Sequence, residues 1–303
     1  MVSEPFSSAY PAPAKLNLML RVVGRRADGY HLLQTVFRLI DYGDELRFRV
    51  RADGVITRVN EVPGIAQADD LCVRAATALR QASGTALGAD IHLDKHLPLG
   101  GGLGGGSSDA ATTLLALNQL WKTGFTRAQL LDLAVKLGAD VPVFVFGENA
   151  FAEGIGERLQ ALDLPLAWYV VLCPPVAVST AAVFTHPDLK RDSPKVTIQG
   201  FTDAGSVGCI NGINDLQPLV LKQYPEVARH LDALSRFGPS LMSGSGACVF
   251  APFSSEKQAR QVLAQLSTGR KVPEGSEGSA GMQGFVAQGL HRHPLHGLAP
   301  DSI

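Results

Sequence analysis

Residues 98–111 read Pro98-Leu-Gly-Gly-Gly-Leu-Gly-Gly-Gly-Ser-Ser-Asp-Ala-Ala111, and six of the seven positions from Gly100 to Gly106 are glycine. A backbone without Cβ atoms can take positive φ and come close to a ligand, at a cost in conformational entropy. Directly behind the run, Ser107 or Ser108 is placed to cap a helix, with Asp109 in its first turn and Ala110, Ala111, Leu114 and Leu115 as an apolar stripe. A loop that feeds a helix N-terminus makes an anion site, because unpaired N–H groups and the helix dipole converge on the ligand. The anion expected here is a nucleotide phosphate.

Other readings of the same glycines fit less well. A flexible linker would have polar, low-complexity flanks, whereas this run lies between an apolar strand and a periodic helix. A Walker loop ends in Gly-Lys-Ser/Thr, and no lysine stands before Ser107-Ser108-Asp109. A dinucleotide fingerprint matches so glycine-dense a run almost automatically. It also needs an acidic residue about 20 positions on, where Trp121 and Lys122 stand.

The chain has 303 residues, room for one large domain or two ordinary ones. A hydrophobic content of 46% with 18% charged residues predicts a globular protein with a substantial core. The net charge of −1 gives no reason to expect nucleic-acid or membrane binding. Apolar runs such as 168–173 are far too short to span a bilayer. The first residues, Met1-Val-Ser-Glu-Pro-Phe6, lack a secretory pattern, so a soluble, cytoplasmic protein is expected. Cys72, Cys173, Cys209 and Cys248 lack CxxC spacing and are read as buried free thiols.

Outward from the loop, residues 14–22 alternate, with Ala14, Leu16, Leu18, Leu20 and Val22 against Lys15, Asn17, Met19 and Arg21, which predicts a half-buried strand. A turn at Gly24–Gly29 leads into an apolar stretch from Tyr30-His31 to Ile40. A second strand alternates Leu46, Phe48 and Val50 with Arg47, Arg49 and Arg51, the arginines forming a solvated face. Residues 69–82 read as a helix and 91–93 as a strand. Thr126 and Gln129 form a capping box for a helix that Gly138 ends. Residues 141–146 have strand-like composition, 168–173 read as a buried strand, and Ser179 or Thr180 caps a short helix through Phe184. Residues 186–206 read as polar and irregular, 214–221 and 225–237 as helices, and the glycine turn 243–246 feeds a strand at 247–251. The glycine-rich segment 273–284 reads as a surface loop, and His291, His293 and His296 as a solvated tail rather than a metal cluster. The mixture predicts an α+β protein with two lobes, residues 1–150 and 151–303.

Two polar groups stand out beside the loop. Lys15 and Asn17 share one face of the first strand, and Lys15 is either a solvated strand lysine or a functional one. Asp140, in Gly138-Ala-Asp-Val-Pro142, is either an N-cap for the turn that Pro142 begins or a catalytic carboxylate. Phosphoryl transfer would use both. A donor's phosphates need a cradle, an acceptor hydroxyl needs a base, and developing charge needs a cation. Asp140 can take the hydroxyl proton and Lys15 can pair with it, which requires that the two meet in space.

The motifs resemble those of the GHMP kinases. Ala14-Lys-Leu-Asn-Leu18, Pro98–Ala111 and Met242-Ser-Gly-Ser-Gly-Ala-Cys-Val-Phe250 occur in the family's order. Gly24–His31, Gly138–Phe144, Ser179–Phe184 and Asn214–Pro218 narrow the resemblance to the branch acting on a cytidine-diphosphate-linked alcohol, over roughly residues 12–295. The resemblance implies a two-lobed fold with its active site in the cleft. It also implies phosphorylation of the 2-hydroxyl of a cytidine-diphosphate methylerythritol by ATP, with magnesium carried on the ATP, in the non-mevalonate route to isoprenoid precursors. The partner would be that small molecule, and the protein a monomer or weak homodimer.

By position, it implies Asp140 as catalytic base with Lys15 beside it, and Asn17 and Thr180 near the acceptor. Gly100, Gly101, Gly102, Leu103, Gly104, Gly105, Gly106, Ser107 and Ser108 would wrap the ATP phosphates, with Lys95 and Pro98 towards the adenine. Tyr30 and Phe184 would sandwich the cytosine and His31 would bond its edge; a flat base suits two aromatic faces, and its polar edge suits an imidazole. Asp109 stands where many relatives have Asn, and the helix dipole is expected to offset its charge. Rival readings are a kinase for homoserine or a mevalonate relative, which would have no cytosine to clamp, and a nucleotide-binding regulator without catalysis.

Overall fold

The alternating residues at 14–22 lie in a longer strand, β1 (Tyr10–Arg25), antiparallel to β2 (His31–Arg51). The apolar stretch to Ile40 and the alternation at 46–51, read apart in the sequence, are one strand of 21 residues. Gly43 makes that continuity possible: a Cβ there would lie 2.0 Å from the Ala12 carbonyl oxygen of β1. The strand β1 is not half-buried as its alternation suggests. Lys15, Asn17 and Met19 are each only 2% exposed, because β1 has protein on both faces.

The computed structural model describes residues 5–203, 213–268 and 282–301. The elements that follow are β3 (Ile56–Arg58), α1 (Leu71–Ser83), β4 (Gly88–Asp94), α2 (Gly105–Leu120), α3 (Arg127–Leu137), α4 (Val141–Phe146), β5 (Ala150–Gly154) and β6 (Arg158–Ala161). Next come β7 (Trp168–Leu172), α5 (Thr180–Thr185), α6 (Ile198–Asp203), α7 (Gln217–Gln223) and α8 (Pro225–Ser235). The last are β8 (Leu241–Met242), β9 (Val249–Phe253), α9 (Glu256–Ser267) and β10 (Gly284–Gln288). A first sheet runs β3-β4-β2-β5-β6, with β1 also on β2, and a second runs β10-β7-β9-β8. The fold is α+β.

Three cores follow from these layers. Leu114, Leu115 and Leu117 of α2 pack with Leu79 of α1, Val143 and Phe144 of α4, and Phe48 and Ile91 of the first sheet. Leu16 and Leu18 of β1 meet Tyr169, Val171 and Phe250 of the second sheet. That sheet's other residues, among them Val170, Leu172 and Val249, pack with Val183, Val220 and Val227 from α5, α7 and α8. Full burial of each such side chain is worth about 1.5–3 kcal/mol.

Several expectations need correction. Residues 141–146 form the helix α4, because Pro142 sits at its first turn and Gly147, at φ 77°, closes it in the left-handed conformation. Burial of Val141 through Val145 on all sides overrides their β preference. Arg49 and Arg51 are not simply a solvated face; both pair with Asp90, which is 1% exposed on the neighbouring strand β4. The 186–206 stretch contains the short helix α6. Cys173 and Cys248 are free thiols whose sulfurs lie 3.6 Å apart, Cys72 is free and buried, and Cys209 lies outside the described residues, as does most of 273–284.

Of the histidines near the end only His291 is exposed as a solvated tail would be; His296 is half-buried and His293 is buried. His293 is 2% exposed, and burial beside His296 and Arg127 pushes its pKa down to about 3. Leu295 and Ala299 join the core under α2. Arg127, the first residue of α3, gathers this segment: its guanidinium donates to the carbonyls of Val145 (2.7 Å), His296 (2.6 Å) and Ala299 (2.9 Å). It also pairs with Asp301 at 2.6 Å. The sequence division at 150/151 cuts β5 after its first residue, yet β5 and β6 belong to the first sheet and Leu295 and Ala299 to its core. We propose that the first lobe takes in residues 10–161 together with 290–300.

Candidate active site

The glycine run connects β4 to α2, and its carbonyls are used inward. Gly100 and Gly101 accept from the N–H groups of Ala247 and Cys248, and Leu103 from that of Lys15 at 2.9 Å. Gly102 accepts from the Lys15 ammonium (3.1 Å) and the Ser243 hydroxyl (2.9 Å). The loop is therefore fastened to β1 and to the glycine turn before β9. Gly104, at φ 75°, is the N-cap of α2, so neither Ser107 nor Ser108 caps it as the sequence suggested. The first helical bond is Ser108 N–H to the Gly104 carbonyl, leaving the N–H groups of Gly105, Gly106 and Ser107 without helical partners and beside a cavity.

That cavity has a volume of about 730 Å³. Lys15, Asn17, Tyr30, His31, Lys95, Pro98, Gly100 through Ser107, Asp140, Thr180 and Phe184 all line it. Ser108 does not: it is fully buried and its hydroxyl donates to the Pro13 carbonyl at 2.7 Å, so it anchors α2 to β1.

At the loop, Lys15 and Asp140 meet, with the Lys15 ammonium 3.2 Å from Asp140 Oδ2. Asp140 is the residue before α4 and makes no side-chain cap; its carboxylate, 36% exposed, opens to the cavity. Lys15 also donates to Asn17 Oδ1 at 2.6 Å. Asn17 Nδ2 donates to the Thr35 hydroxyl at 2.8 Å, which donates to the Met19 carbonyl at 2.6 Å. Asn17 lines the cavity as expected, and its amide also bonds Lys15 at one end and Thr35 at the other. Thr35, Ser243 and Ser245 were missed as separate site residues. Ser245 shares a hydrogen bond with Thr180 across the cavity wall, Oγ to Oγ1 at 2.7 Å.

Further along, Tyr30 is 60% exposed at the cavity's edge. His31 and Phe184 lie with ring centroids 5.1 Å apart, tilted by 34°. No group of three His, Cys, Asp or Glu side chains gathers to hold a metal among the described residues.

Lys95 does not simply face the cavity. Its ammonium pairs with Asp44 and, at 2.7 Å, with Asp109 Oδ2. Asp109 is 2% exposed and lies beyond the first turn of α2, so it is a buried member of this cluster rather than a charge offset by the helix dipole. Burial pushes its carboxyl up to about 8, with Lys95 opposing and Asp44 adding to the shift. An unfolded aspartate titrates near ~3.9. Folding therefore takes up a proton between these values, and this group's contribution to stability falls as pH rises from about 4 to about 8. Asp109→Asn, which cannot ionise, is expected to gain melting temperature over the wild type progressively across that window and then level off. Parallel thermal unfolding at pH 5, 7 and 9 checks this; a pH-independent difference would exclude it.

A loop that offers N–H groups to an anion, with a lysine–aspartate pair at its side, defines a phosphoryl-transfer site in an α+β frame. Residues 70–148 match the model of the GHMP kinases N terminal domain and 199–271 that of the GHMP kinases C terminal. The chain belongs to the GHMP kinases. Curated relatives narrow the likeness. It is 58% identical to the 4-diphosphocytidyl-2-C-methyl-D-erythritol kinase of Nitrosospira multiformis, over 95% of this chain and 93% of that one. The enzyme of the same name from Thiobacillus denitrificans is 55% identical, over 97% of this chain and all of the other. A crystal structure of 4-(cytidine 5'-diphospho)-2C-methyl-D-erythritol kinase superposes with a TM-score of 0.75 at 32% identity, covering 93% and 98% of the two chains.

Proposed function

We propose that this kinase transfers the γ-phosphoryl group of ATP to the 2-hydroxyl of 4-diphosphocytidyl-2-C-methyl-D-erythritol, a step in the methylerythritol phosphate route to isoprenoid precursors. The observation that carries the reading is one cavity joining two kinds of chemistry. The phosphate loop and the Lys15–Asp140 pair stand on one side, and Tyr30, His31 and Phe184 on another.

The roles follow from the groups present. Asp140 accepts the acceptor's hydroxyl proton as the new O–P bond forms and the bond to the departing ADP breaks. Lys15, held by Asn17 and the Gly102 carbonyl, stays within reach of the carboxylate and of the charge that develops on the transferring group. The N–H groups at the head of α2 hold the donor's phosphates. Magnesium carried on the triphosphate would offset its charge, and Asp140 and Ser107 are the oxygen-bearing side chains beside the loop that would hold it. Lys95 and Pro98 border the nucleoside end of the donor. The aromatic faces of Tyr30 and Phe184 take the cytosine between them, His31 bonds its edge, and Thr180 lies beside the acceptor. In this reading the protein works in the cytoplasm as a monomer or weak homodimer; the described residues contain no helix long and apolar enough to cross a membrane.

ADP release from magnesium ATP with the cytidine compound, run against homoserine and mevalonate, tests the assignment. Turnover is expected with the cytidine compound alone. Turnover only with one of the other alcohols would overturn the choice of acceptor while leaving a GHMP kinase.

A further inference from the structure

Arg191 belongs to the irregular segment after α5, and neither the fold nor the phosphoryl transfer described above uses it. Its guanidinium is nevertheless fully engaged at the edge of the cavity. Nη2 donates to the carbonyls of Phe184 (3.0 Å) and His186 (2.7 Å), and Nη1 to that of Leu189 (2.9 Å). Nε donates to Nε2 of His31 at 3.0 Å.

The last bond has a chemical consequence. A guanidinium is always a donor and never an acceptor, so His31 Nε2 must carry a lone pair. A neutral imidazole with its lone pair on Nε2 carries its proton on Nδ1. Turning the ring over would set Cε1–H against the guanidinium and lose the bond. Protonating both nitrogens would face one N–H with another. Burial and the nearby cations Arg191 and Arg25 also lower the His31 pKa, in keeping with a neutral ring. His31 lines the cavity, and Nδ1 has no hydrogen-bond partner among the described residues. What the ring offers a ligand there is one N–H donor.

We infer that Arg191 is a specificity-determining positioning residue, which fixes His31 as its Nδ1–H tautomer so that the base cleft selects cytosine over uracil. Cytosine and uracil differ at the 4-substituent, an amino donor in one and a carbonyl acceptor in the other, and at N3, where the N–H of His31 reads an acceptor in cytosine and a donor in uracil. A fixed N–H donor completes a bond with the first and meets another N–H in the second. The same guanidinium ties down the carbonyl of Phe184, so one side chain sets both a ring that stacks and the donor that reads the base edge. This inference rests on the cytidine assignment above.

The test uses ¹⁵N-labelled full-length protein with CDP and UDP as competitors of the acceptor. In the wild type, imidazole ¹⁵N shifts are expected to show protonated Nδ1 and bare Nε2 for His31, with CDP preferred about tenfold or more, the scale set by an unpaired buried polar group. Arg191→Met is expected to mix the tautomers and bring the CDP/UDP ratio to within about twofold, raising the acceptor KM more than it lowers kcat and leaving the ATP KM alone. Arg191→Lys, which can still donate to Nε2, is expected to recover part of the ratio. Because Arg191→Met can also loosen the chain at 184–191, His31→Asn gives a second arm: with Arg191 intact, its rotatable amide should admit UDP. A wild-type ring protonated on Nε2, or a CDP/UDP ratio unmoved in either Arg191→Met or His31→Asn, overturns the inference alone. Failure of CDP to compete in the wild type overturns the cytidine assignment and the inference with it.

Discussion

Asp140→Asn is expected to lower turnover by about 10²–10⁴-fold, the range for removing a general base, while ATP binding stays within about twofold. Asparagine keeps the shape of the side chain but cannot take the proton of an acceptor hydroxyl. Lys15 would keep two of its partners, Asn17 Oδ1 at 2.6 Å and the Gly102 carbonyl at 3.1 Å, so the buried ammonium is not stranded. The phosphate loop, fastened by its own carbonyls, does not depend on Asp140. Initial-rate ADP release together with calorimetric titration of ATP separates the outcomes. Near-zero turnover in both wild type and variant would favour a nucleotide-binding regulator. Lost ATP affinity in the variant would make Asp140 a structural residue.

Gly102→Ala carries the second large effect. A Cβ at this position would lie 2.1 Å from the Ser243 carbonyl oxygen, and the backbone is at φ 74°, where an L side chain is strained. The obstacle is backbone, so it cannot swing aside. The loop would have to part from the 243–246 turn, breaking the contacts that Lys15 and Ser243 make with the Gly102 carbonyl. Loss of detectable ATP binding is expected, together with a fall of several degrees in melting temperature. Gly106→Ala is the informative partner. It sits in α2 with ordinary contact to Leu71 at 3.6 Å, and alanine favours the helix. It should fold at least as stably as the wild type, so any fall in its ATP affinity reports only how closely the phosphates approach. Undiminished ATP binding by Gly102→Ala would remove the loop–turn contact from the site.

What the sequence reveals of this molecule depends on whether the deciding interaction is local. The loop, the helix behind it and the Thr126–Gln129 capping box follow from neighbours within a few residues, although that helix begins at Gly105, ahead of the serines expected to cap it. Lys15 and Asp140 are 125 positions apart in sequence; that they meet followed from what phosphoryl transfer requires and not from local pattern, because alternation alone leaves a strand lysine in water. The helix α4 was hidden because its β-branched, apolar residues read as strand until burial on every side is known. Arg191 was hidden for another reason: an arginine in an irregular polar stretch looks like solvated surface. Its role exists only because the segment folds back to within 3.0 Å of His31. The buried carboxyl of Asp109 was legible as an identity but not as an environment, since Lys95 and Asp44 reach it from separate elements.

The guanidinium of Arg127, with Leu295 and Ala299 seated under α2, bears on the order in which the molecule can be assembled on a ribosome. Strands β1 to β6 emerge first, but the carbonyls of His296 and Ala299 that Arg127 binds and the two apolar plugs are about 130 residues behind β6. At roughly 5–20 residues per second, that is a wait of order ten seconds. Throughout it, the groove under α2 is open and a buried arginine lacks most of its partners. The second sheet, made in the interval, closes before the first is finished. The half of the protein that holds the phosphate loop is therefore begun first and completed last, and a nascent chain carries an unfilled core under α2 until the segment after β10 arrives.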